Sequence, residues 1–179
     1  MNMREIIKKA ALTVFEDKGF YRAGIRDIAA LASCSLPTLY YYFKNKEGLF
    51  EAVVCDAYKS ITNQIEEQIP EGVSLLDRFY FSVLQRQMMD EEQKKVFRIA
   101  IKMQLGIEGF ESAREQLGKW EEQRRARELS MITDAVGDPV FAGVVMRVVD
   151  NMLQRSILSG EALSPEQIRQ ELGYLLDSK

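Results

Sequence analysis

GIRDIAALASCSLPTLYYYFKNKEGL, residues 24–49, predicts two short helices separated by a tight turn. Apolar residues at positions 25, 28, 29 and 32 recur at helical spacing, so the first helix buries one stripe. The pattern breaks at Ser33 and Cys34. Ser35 then has the side chain of an N-cap, and Pro37 is tolerated in the first turn because the amide that proline lacks has no helical partner there. The segment therefore predicts a helix-turn-helix unit.

The second short helix has two different faces. Leu39 and Phe43 are four residues apart and form its buried face. Three consecutive tyrosines cannot all be buried on one helix, so at least one phenol must be exposed. Asn45 caps the next helix and places the Lys46 ammonium beside free backbone amides, where a phosphate is stabilised. An outward surface that is both aromatic and basic is typical of contact with a nucleic-acid backbone.

The stretch IRDIAALASCSLPTLYYYFKNKEGLF, with AALTVFEDKGF upstream of it, resembles the DNA-binding signature of the TetR family of transcriptional regulators. The resemblance extends from the first helix to Phe50. It implies an N-terminal DNA-binding domain of three helices, with Thr38 and Tyr40 in the major groove. Tyr41, Tyr42 and Lys46 would then lie at the phosphates.

The chain departs from the family pattern at two places. Members usually have hydroxyl residues where this chain has Ala23 and Gly24, so one side-chain cap and one phosphate contact are missing, and Arg26 is expected to carry more of the contact. The turn usually has glycine where Ser33 stands, which implies strain of about 1 kcal/mol if the backbone there has positive φ. The predicted DNA-binding residues are Arg26, Ser35, Leu36, Pro37, Thr38, Tyr40, Tyr41, Tyr42 and Lys46.

Charge is distributed unevenly along the chain. The 179 residues have a net charge of −3, but residues 1–50 hold eight lysines and arginines against five acids. The N-terminal segment is therefore positive and the remainder negative, which places phosphate binding in the segment that carries the motif. No apolar run approaches the ~18 residues that span a bilayer, and the N-terminus lacks the apolar segment of a secretion signal. We expect a cytoplasmic protein with no membrane partner.

The residue inventory argues against catalysis. The chain has no histidine and two cysteines, so it has no histidine base and no recognisable metal cluster. We expect no cofactor, no metal and no enzymatic activity. A helical-bundle enzyme is the alternative from another class, and only scattered carboxylates would support it. Cys34 and Cys55 are interpreted as buried, inert thiols rather than redox switches.

Beyond residue 50 the sequence predicts only helices. Together with the N-terminal region, the pattern predicts an all-α fold of about nine helices, with a DNA-binding domain over residues 1–48 and a helical bundle for ligand sensing and dimerisation over 49–179. Capping patterns at Ser74–Asp77 and Asp90–Gln93 predict where the fifth and sixth helices begin. Both helices are apolar nearly all round, which suits either a simple core or an adaptable pocket. The predicted pocket lining is Phe79, Tyr80, Val83, Phe97, Ile101, Met103, Leu117 and Trp120.

The last two helices carry wider apolar stripes than one neighbour requires. This pattern favours a homodimer interface, which the family resemblance also implies; an intramolecular core is the alternative. The predicted interface consists of Val144, Val145, Val148, Val149, Met152, Leu172, Leu175 and Leu176.

These patterns lead to one functional hypothesis. The chain is expected to be a dimeric repressor of a palindromic operator in double-stranded DNA, released by a small apolar or amphipathic effector. Repression rather than activation rests on the resemblance alone. The alternative of the same class is a DNA-binding regulator controlled by a protein partner or by no ligand.

Overall fold

A computed structural model describes residues 2–176, and within that range the chain forms nine helices and no strand. The predicted all-α fold is confirmed. The helices are α1 Met3–Arg22, α2 Ile25–Leu31, α3 Leu36–Phe43, α4 (Lys46–Phe50, Glu51–Cys55 and Asp56–Glu67 in succession), α5 Leu75–Gln87, α6 Glu91–Gln104, α7 Glu111–Val136, α8 Pro139–Ser159 and α9 Pro165–Leu176. No helix among these residues is long and apolar enough to cross a bilayer.

Local signals set most helix boundaries. Ser74 accepts a hydrogen bond from the Asp77 amide (3.0 Å), as the sequence predicts. Asp90 and Gln93 form a reciprocal capping box, with bonds of 2.8 Å and 3.0 Å. Regular geometry in α1 is interrupted at Gly19, where φ is +74° and ψ is +164°, and a short helical segment continues to Arg22. These caps satisfy amides that a helix end leaves without an internal partner.

One irregularity has no counterpart in the sequence pattern. The middle of α4, Glu51–Cys55, is a π-helical turn, and the Asp56 amide donates to the Glu51 carbonyl five residues earlier. Val53, Val54 and Cys55 are buried there. A π turn widens the helix locally and changes the direction in which the following side chains point.

The first packing unit consists of Met1–Ile61 and Asp90–Lys119. Within it, α1 packs against α2, α4 and α6. Its core contains an aromatic cluster in which Phe50 lies 5.0 Å from Phe15 and 5.1 Å from Phe20, and Phe20 lies 4.8 Å from Phe110, centroid to centroid. Edge-to-face and tilted pairs at these separations add to the free energy gained by burying the rings. This aromatic cluster joins α1, α4 and the residue that precedes α7.

The second packing unit consists of Thr62–Met89 and Trp120–Lys179. Here α5 packs against α8 and α9. Its core residues are Phe79, Val83, Ile132, Ala142, Val145, Val149, Met152, Ile168 and Leu172. Each packing unit is built from two separate stretches of the chain. The predicted domains, residues 1–48 and 49–179, are instead single continuous stretches defined by function, and this division stays a prediction.

Candidate nucleic-acid interface

The turn between α2 and α3 fixes the geometry of the motif. Ser33 has a φ of +50°, the positive value expected where related sequences carry glycine, so the predicted local strain applies. The Cys34 amide donates to the Ala29 carbonyl at 3.0 Å and closes the turn. Ile28 and Leu39, one on each helix, are fully buried. The closed turn and the two buried side chains thus fix the orientation of α3 relative to α2 within the first packing unit.

The first turn of α3 is organised by Ser35. Its hydroxyl accepts from the Thr38 amide at 3.2 Å, which confirms the predicted N-cap, and it also shares a hydrogen bond of 2.8 Å with the Thr38 hydroxyl. Pro37 lies in this first turn and is exposed. The Thr38 side chain is therefore held in one orientation at the N-terminal end of α3, where recognition helices contact base edges.

The three tyrosines of α3 point away from the core. Tyr41 is 81% exposed and Tyr40 is 46% exposed, while Tyr42 is partly covered by an edge contact with the Tyr41 ring at 5.2 Å. Leu39 and Phe43 are buried on the opposite face, as predicted. The outer surface of α3 therefore consists of hydroxyl and aromatic groups carried on a buried two-residue anchor.

Lys46 lies at the start of α4 and has two neighbours that the sequence reasoning missed. Its Nζ donates to the Tyr21 carbonyl at 3.3 Å and stands 4.6 Å from the centre of the Phe20 ring. Asn45 caps α4 by accepting from the Gly48 amide at 2.7 Å, which confirms the predicted cap. The ammonium of the first residue of α4 is thus held against the end of α1 by a hydrogen bond and a cation–π contact. Tyr21, which is largely exposed, extends this surface.

Arg26 is exposed on α2 and forms no ion pair within residues 2–176. The neighbouring Asp27 carboxylate is already paired with a lysine. Lys18 donates to it at 2.7 Å, and this hydrogen bond lowers the pKa of the Asp27 carboxyl. Gly24 is the N-cap residue of α2, and no side chain caps this helix end. The arginine is therefore the cationic group that α2 offers to a phosphate.

The sequence comparisons match this region. Residues 7–53 match the family model described as bacterial regulatory proteins, tetR family. The N-terminal region of this chain is therefore similar to the DNA-binding region of TetR-family regulators. It is 41% identical over 66 residues to the HTH-type transcriptional repressor NicS of Pseudomonas putida, a match that covers 37% of this chain and 31% of NicS. The chain spans only about a third of the length of the first curated relatives it matches, which include NicS at 31% and YttP of Bacillus subtilis at 32%.

Solved structures extend the likeness in fold to nearly the full length of this chain. The multidrug binding protein EbrR, complexed with malachite green, has a TM-score of 0.72 and 18% identity, over 98% of this chain and 99% of EbrR. A TetR-like transcriptional regulator from Rhodococcus sp. RHA1 has a TM-score of 0.69 and 18% identity, over 97% of this chain and 93% of that one. At this identity the comparison establishes the fold.

A further contact in the first unit joins the end of α1 to the segment between α6 and α7. Glu108 accepts from the Phe20 amide at 2.6 Å and from the Gly109 amide at 2.9 Å. A Cβ placed on Gly19 would stand 2.6 Å from the same carboxylate, so a larger residue would displace Glu108 as well as strain the backbone at a positive φ. Sequence reasoning could not find this contact because its partners are 88 residues apart.

The predicted pocket residues fall into both packing units. Phe97, Ile101, Met103 and Leu117 are buried in the first unit, while Phe79, Tyr80, Val83 and Trp120 belong to the second. A cavity of about 230 Å³ lies in the second unit, and its lining contains one of the eight predicted residues, Phe79. Its other walls carry charged side chains that the sequence reasoning did not select. These are Arg78, Arg86, Arg124, Arg127, Glu66, Glu128 and Asp150.

The predicted interface residues separate into two groups. Val145, Val149, Met152 and Leu172 are buried in the core of their own chain, so they offer no surface to a second copy. Val144, Val148, Leu175 and Leu176 are only partly buried. The stripe of α8 appeared wider than one neighbour requires because its inner half fills the core of the second unit. An interface on α8 is therefore restricted to the outer half, which begins at Val140, 77% exposed.

The two thiols differ in burial. Cys55 is buried, as predicted, but Cys34 is only half-buried, so the prediction that both thiols are buried is wrong for Cys34. Burial raises the pKa of the Cys55 thiol to about 11 and raises the pKa of Cys34 as well. Both groups are therefore protonated at neutral pH, which agrees with inert cysteines.

Proposed function

We propose that this chain is a DNA-binding transcriptional regulator that acts on double-stranded operator DNA. The observation that carries the proposal is the outward face of α3, where the fixed Thr38 and the exposed Tyr40 and Tyr41 stand on the buried anchor of Leu39 and Phe43. A helix presented in this way fits the major groove. The protein is proposed to work in the cytoplasm, where it meets DNA, and to have no enzymatic activity.

The contacts divide into two kinds. Leu36 and Pro37 carry no side-chain hydrogen-bonding group, so they suit thymine methyl groups, and Thr38 adds a polar or methyl contact. Lys46, Arg26 and Tyr41 suit the phosphates, as do Ser35, Tyr42 and backbone amides at the helix ends. Phosphate contacts fix the position of the protein, and the contacts to bases provide the sequence preference.

The regulator is proposed to bind as a homodimer. One recognition helix contacts too few base pairs to be selective alone, and a two-fold dimer reads two half-sites about one helical turn, ~34–36 Å, apart. Helices α8 and α9 are the proposed interface, through the exposed Val140 and the partly buried Val144, Val148, Leu175 and Leu176. The operator is accordingly an inverted repeat.

Repression with release by a small molecule is the proposed mode of control. NicS is named a repressor, and EbrR was crystallised with malachite green, so both features occur among proteins similar to this one. The cavity of the second unit gives this chain a place for an effector. A regulator controlled by a protein partner or by no ligand is the alternative.

The test is selection of DNA by the purified full chain from a random duplex library, followed by footprinting. Enrichment of an inverted repeat, protected in two half-sites one helical turn apart, is the expected result. A chain that enriches no sequence and binds all duplexes equally would overturn the proposal. Growth of a reporter strain with the selected site upstream of a promoter then separates repression from activation.

A further inference from the structure

Tyr21 lies near the end of α1, and its side chain faces solvent. It is 71% exposed, whereas Phe20 before it and Ala23 after it are 4% and 3% exposed. These buried neighbours fix the backbone on both sides of Tyr21. The tyrosine ring adds little to the core of the first unit, so its contribution lies at the surface.

Tyr21 and Lys46 pack against the same buried ring. The ring of Tyr21 meets that of Phe20 edge to face with centroids 5.4 Å apart, and the Lys46 Nζ stands 4.6 Å from the Phe20 centroid. The Lys46 Nζ also donates to the Tyr21 carbonyl at 3.3 Å. Phe20 in turn packs against Phe50 and Phe110. The exposed phenol and the ammonium are therefore neighbours on a ring that other rings hold in place.

This arrangement places the phenol beside any phosphate that Lys46 binds. An ammonium and a phosphate oxygen that are hydrogen-bonded lie about 2.7–2.9 Å apart. Because the same Nζ is 3.3 Å from the Tyr21 carbonyl, the bound phosphate would stand next to this residue. A phenol can donate a hydrogen bond to a phosphate oxygen, and a ring already packed against Phe20 has less conformational freedom to lose on binding.

The start of α2, close to Tyr21 in the chain, lacks hydroxyl groups. Ala23 and Gly24 stand where related sequences usually have hydroxyl residues, and no side chain caps this helix. Tyr21 carries a hydroxyl two positions before Ala23. The end of α1 therefore offers the kind of donor that is missing from the start of α2.

We propose that Tyr21 is a further DNA contact, whose phenol donates to a backbone phosphate at the Lys46 contact. The proposal rests on the proposed function, since it adds a residue to the same DNA-binding surface. A phosphate contact fixes the position of the protein on the duplex and adds affinity that does not depend on base sequence. A neutral phenol neutralises no phosphate charge, so, unlike Lys46, it adds affinity without salt dependence.

Fluorescence anisotropy of the full chain on the selected duplex and on a non-specific duplex tests this. Tyr21→Phe removes the hydroxyl and keeps the ring against Phe20. It should weaken binding to both duplexes about tenfold, which is about threefold for each subunit of a dimer, and leave the slope of log K against log salt unchanged. Tyr174→Phe is the matched control, because it removes a phenol that is 72% exposed on α9, and it should bind as the native chain does.

Two results of this comparison would overturn the proposal. Binding by Tyr21→Phe as tight as that of the control would show that the hydroxyl makes no contact with DNA. A loss confined to the selected duplex would show that Tyr21 contacts bases instead of phosphates.

An added charge tests the same position without relying on the hydroxyl. Tyr21→Arg should steepen the salt slope by about two units per dimer, because an arginine beside Lys46 neutralises one more phosphate in each subunit. Met88→Arg, at an 82% exposed position of the second unit, is the matched control and should leave the slope unchanged. A slope in Tyr21→Arg equal to that of this control would place the end of α1 away from the DNA and overturn the proposal.

The outcomes keep this proposal apart from the DNA-binding proposal. If the native chain binds the selected duplex and the Tyr21 variants behave as their controls do, only the assignment of Tyr21 fails. If the native chain selects no duplex, the DNA-binding proposal fails, and the contact of Tyr21 fails with it.

Discussion

Thr38 is the residue on which sequence selectivity is expected to depend most directly. Its hydroxyl is oriented by Ser35, and its backbone amide would keep that cap in a Thr38→Ala variant. Substitution should therefore leave the fold intact and relax selectivity at one base pair per half-site, at a cost of roughly 1–3 kcal/mol. Fluorescence anisotropy on the selected duplex and its single-base variants measures this.

The control for Thr38 is Thr13→Ala. Thr13 is exposed on α1, and its hydroxyl donates to the Lys9 carbonyl within its own helix. This variant should bind the same duplexes with unchanged preference. If Thr38→Ala discriminated among the single-base variants as well as the native chain does, Thr38 would not lie in the groove.

Lys46 is expected to contribute to affinity without selectivity. Lys46→Gln removes one phosphate contact per subunit, so the slope of log K against log salt should become shallower by about two units per dimer. Specific and non-specific duplexes should weaken alike. Lys119→Gln, which removes an exposed lysine paired with Glu115, is the matched control and should leave the slope unchanged. A slope in Lys46→Gln equal to that of the control would remove Lys46 from the interface.

At the scale of the helices, the sequence best predicted the features that depend on residues within four positions of one another, above all the helix caps. The caps at Ser35, Asn45 and Asp90 form as predicted because a side chain and the amide it accepts from are three residues apart. The positive φ of Ser33 could also be predicted, because this serine stands at a turn position where the family usually has glycine. Local chemistry of this kind is sufficient to locate α3 and its exposed face.

Contacts between distant segments were not predictable in the same way. Nothing near Glu108 in the sequence indicates that its carboxylate caps the Phe20 amide, and nothing near Val145 indicates which side of α8 fills the core. An apolar stripe predicts that a face is buried, but it does not predict against which partner. For this reason the pocket lining and the dimer interface stay predictions.

The contact of Glu108 with the end of α1 should stabilise the first unit. Glu108→Ala leaves the amide of the buried Phe20 without its acceptor, so the free energy of unfolding should fall by about 1–3 kcal/mol. Glu108→Gln keeps an acceptor oxygen and should cost less. Urea denaturation followed by circular dichroism measures both, and Glu115→Ala, at an exposed ion pair, is the control. A loss in Glu108→Ala no larger than in the control would show that solvent replaces the carboxylate freely.

At the scale of the whole molecule, the outer half of α8 is the surface on which dimerisation is expected to depend. Val140 is largely exposed and Val144 is one turn further along the same side, whereas Val145 is fully buried in its own chain. A charge at Val145 would therefore unfold the second unit and could not test assembly. Glutamates at Val140 and Val144 can be solvated in a monomer but would be buried without partners in a dimer.

Val140→Glu combined with Val144→Glu should therefore give a folded monomer. Sedimentation should show the mass of one chain, thermal unfolding should remain cooperative, and affinity for the inverted repeat should fall towards that for a single half-site because the two recognition helices are no longer linked. Ile107→Glu, an equally apolar-to-acidic change at an exposed position of the first unit, should leave assembly and DNA binding unchanged. A double variant that sediments as a stable dimer and retains full operator affinity would place the interface on a surface other than the outer half of α8.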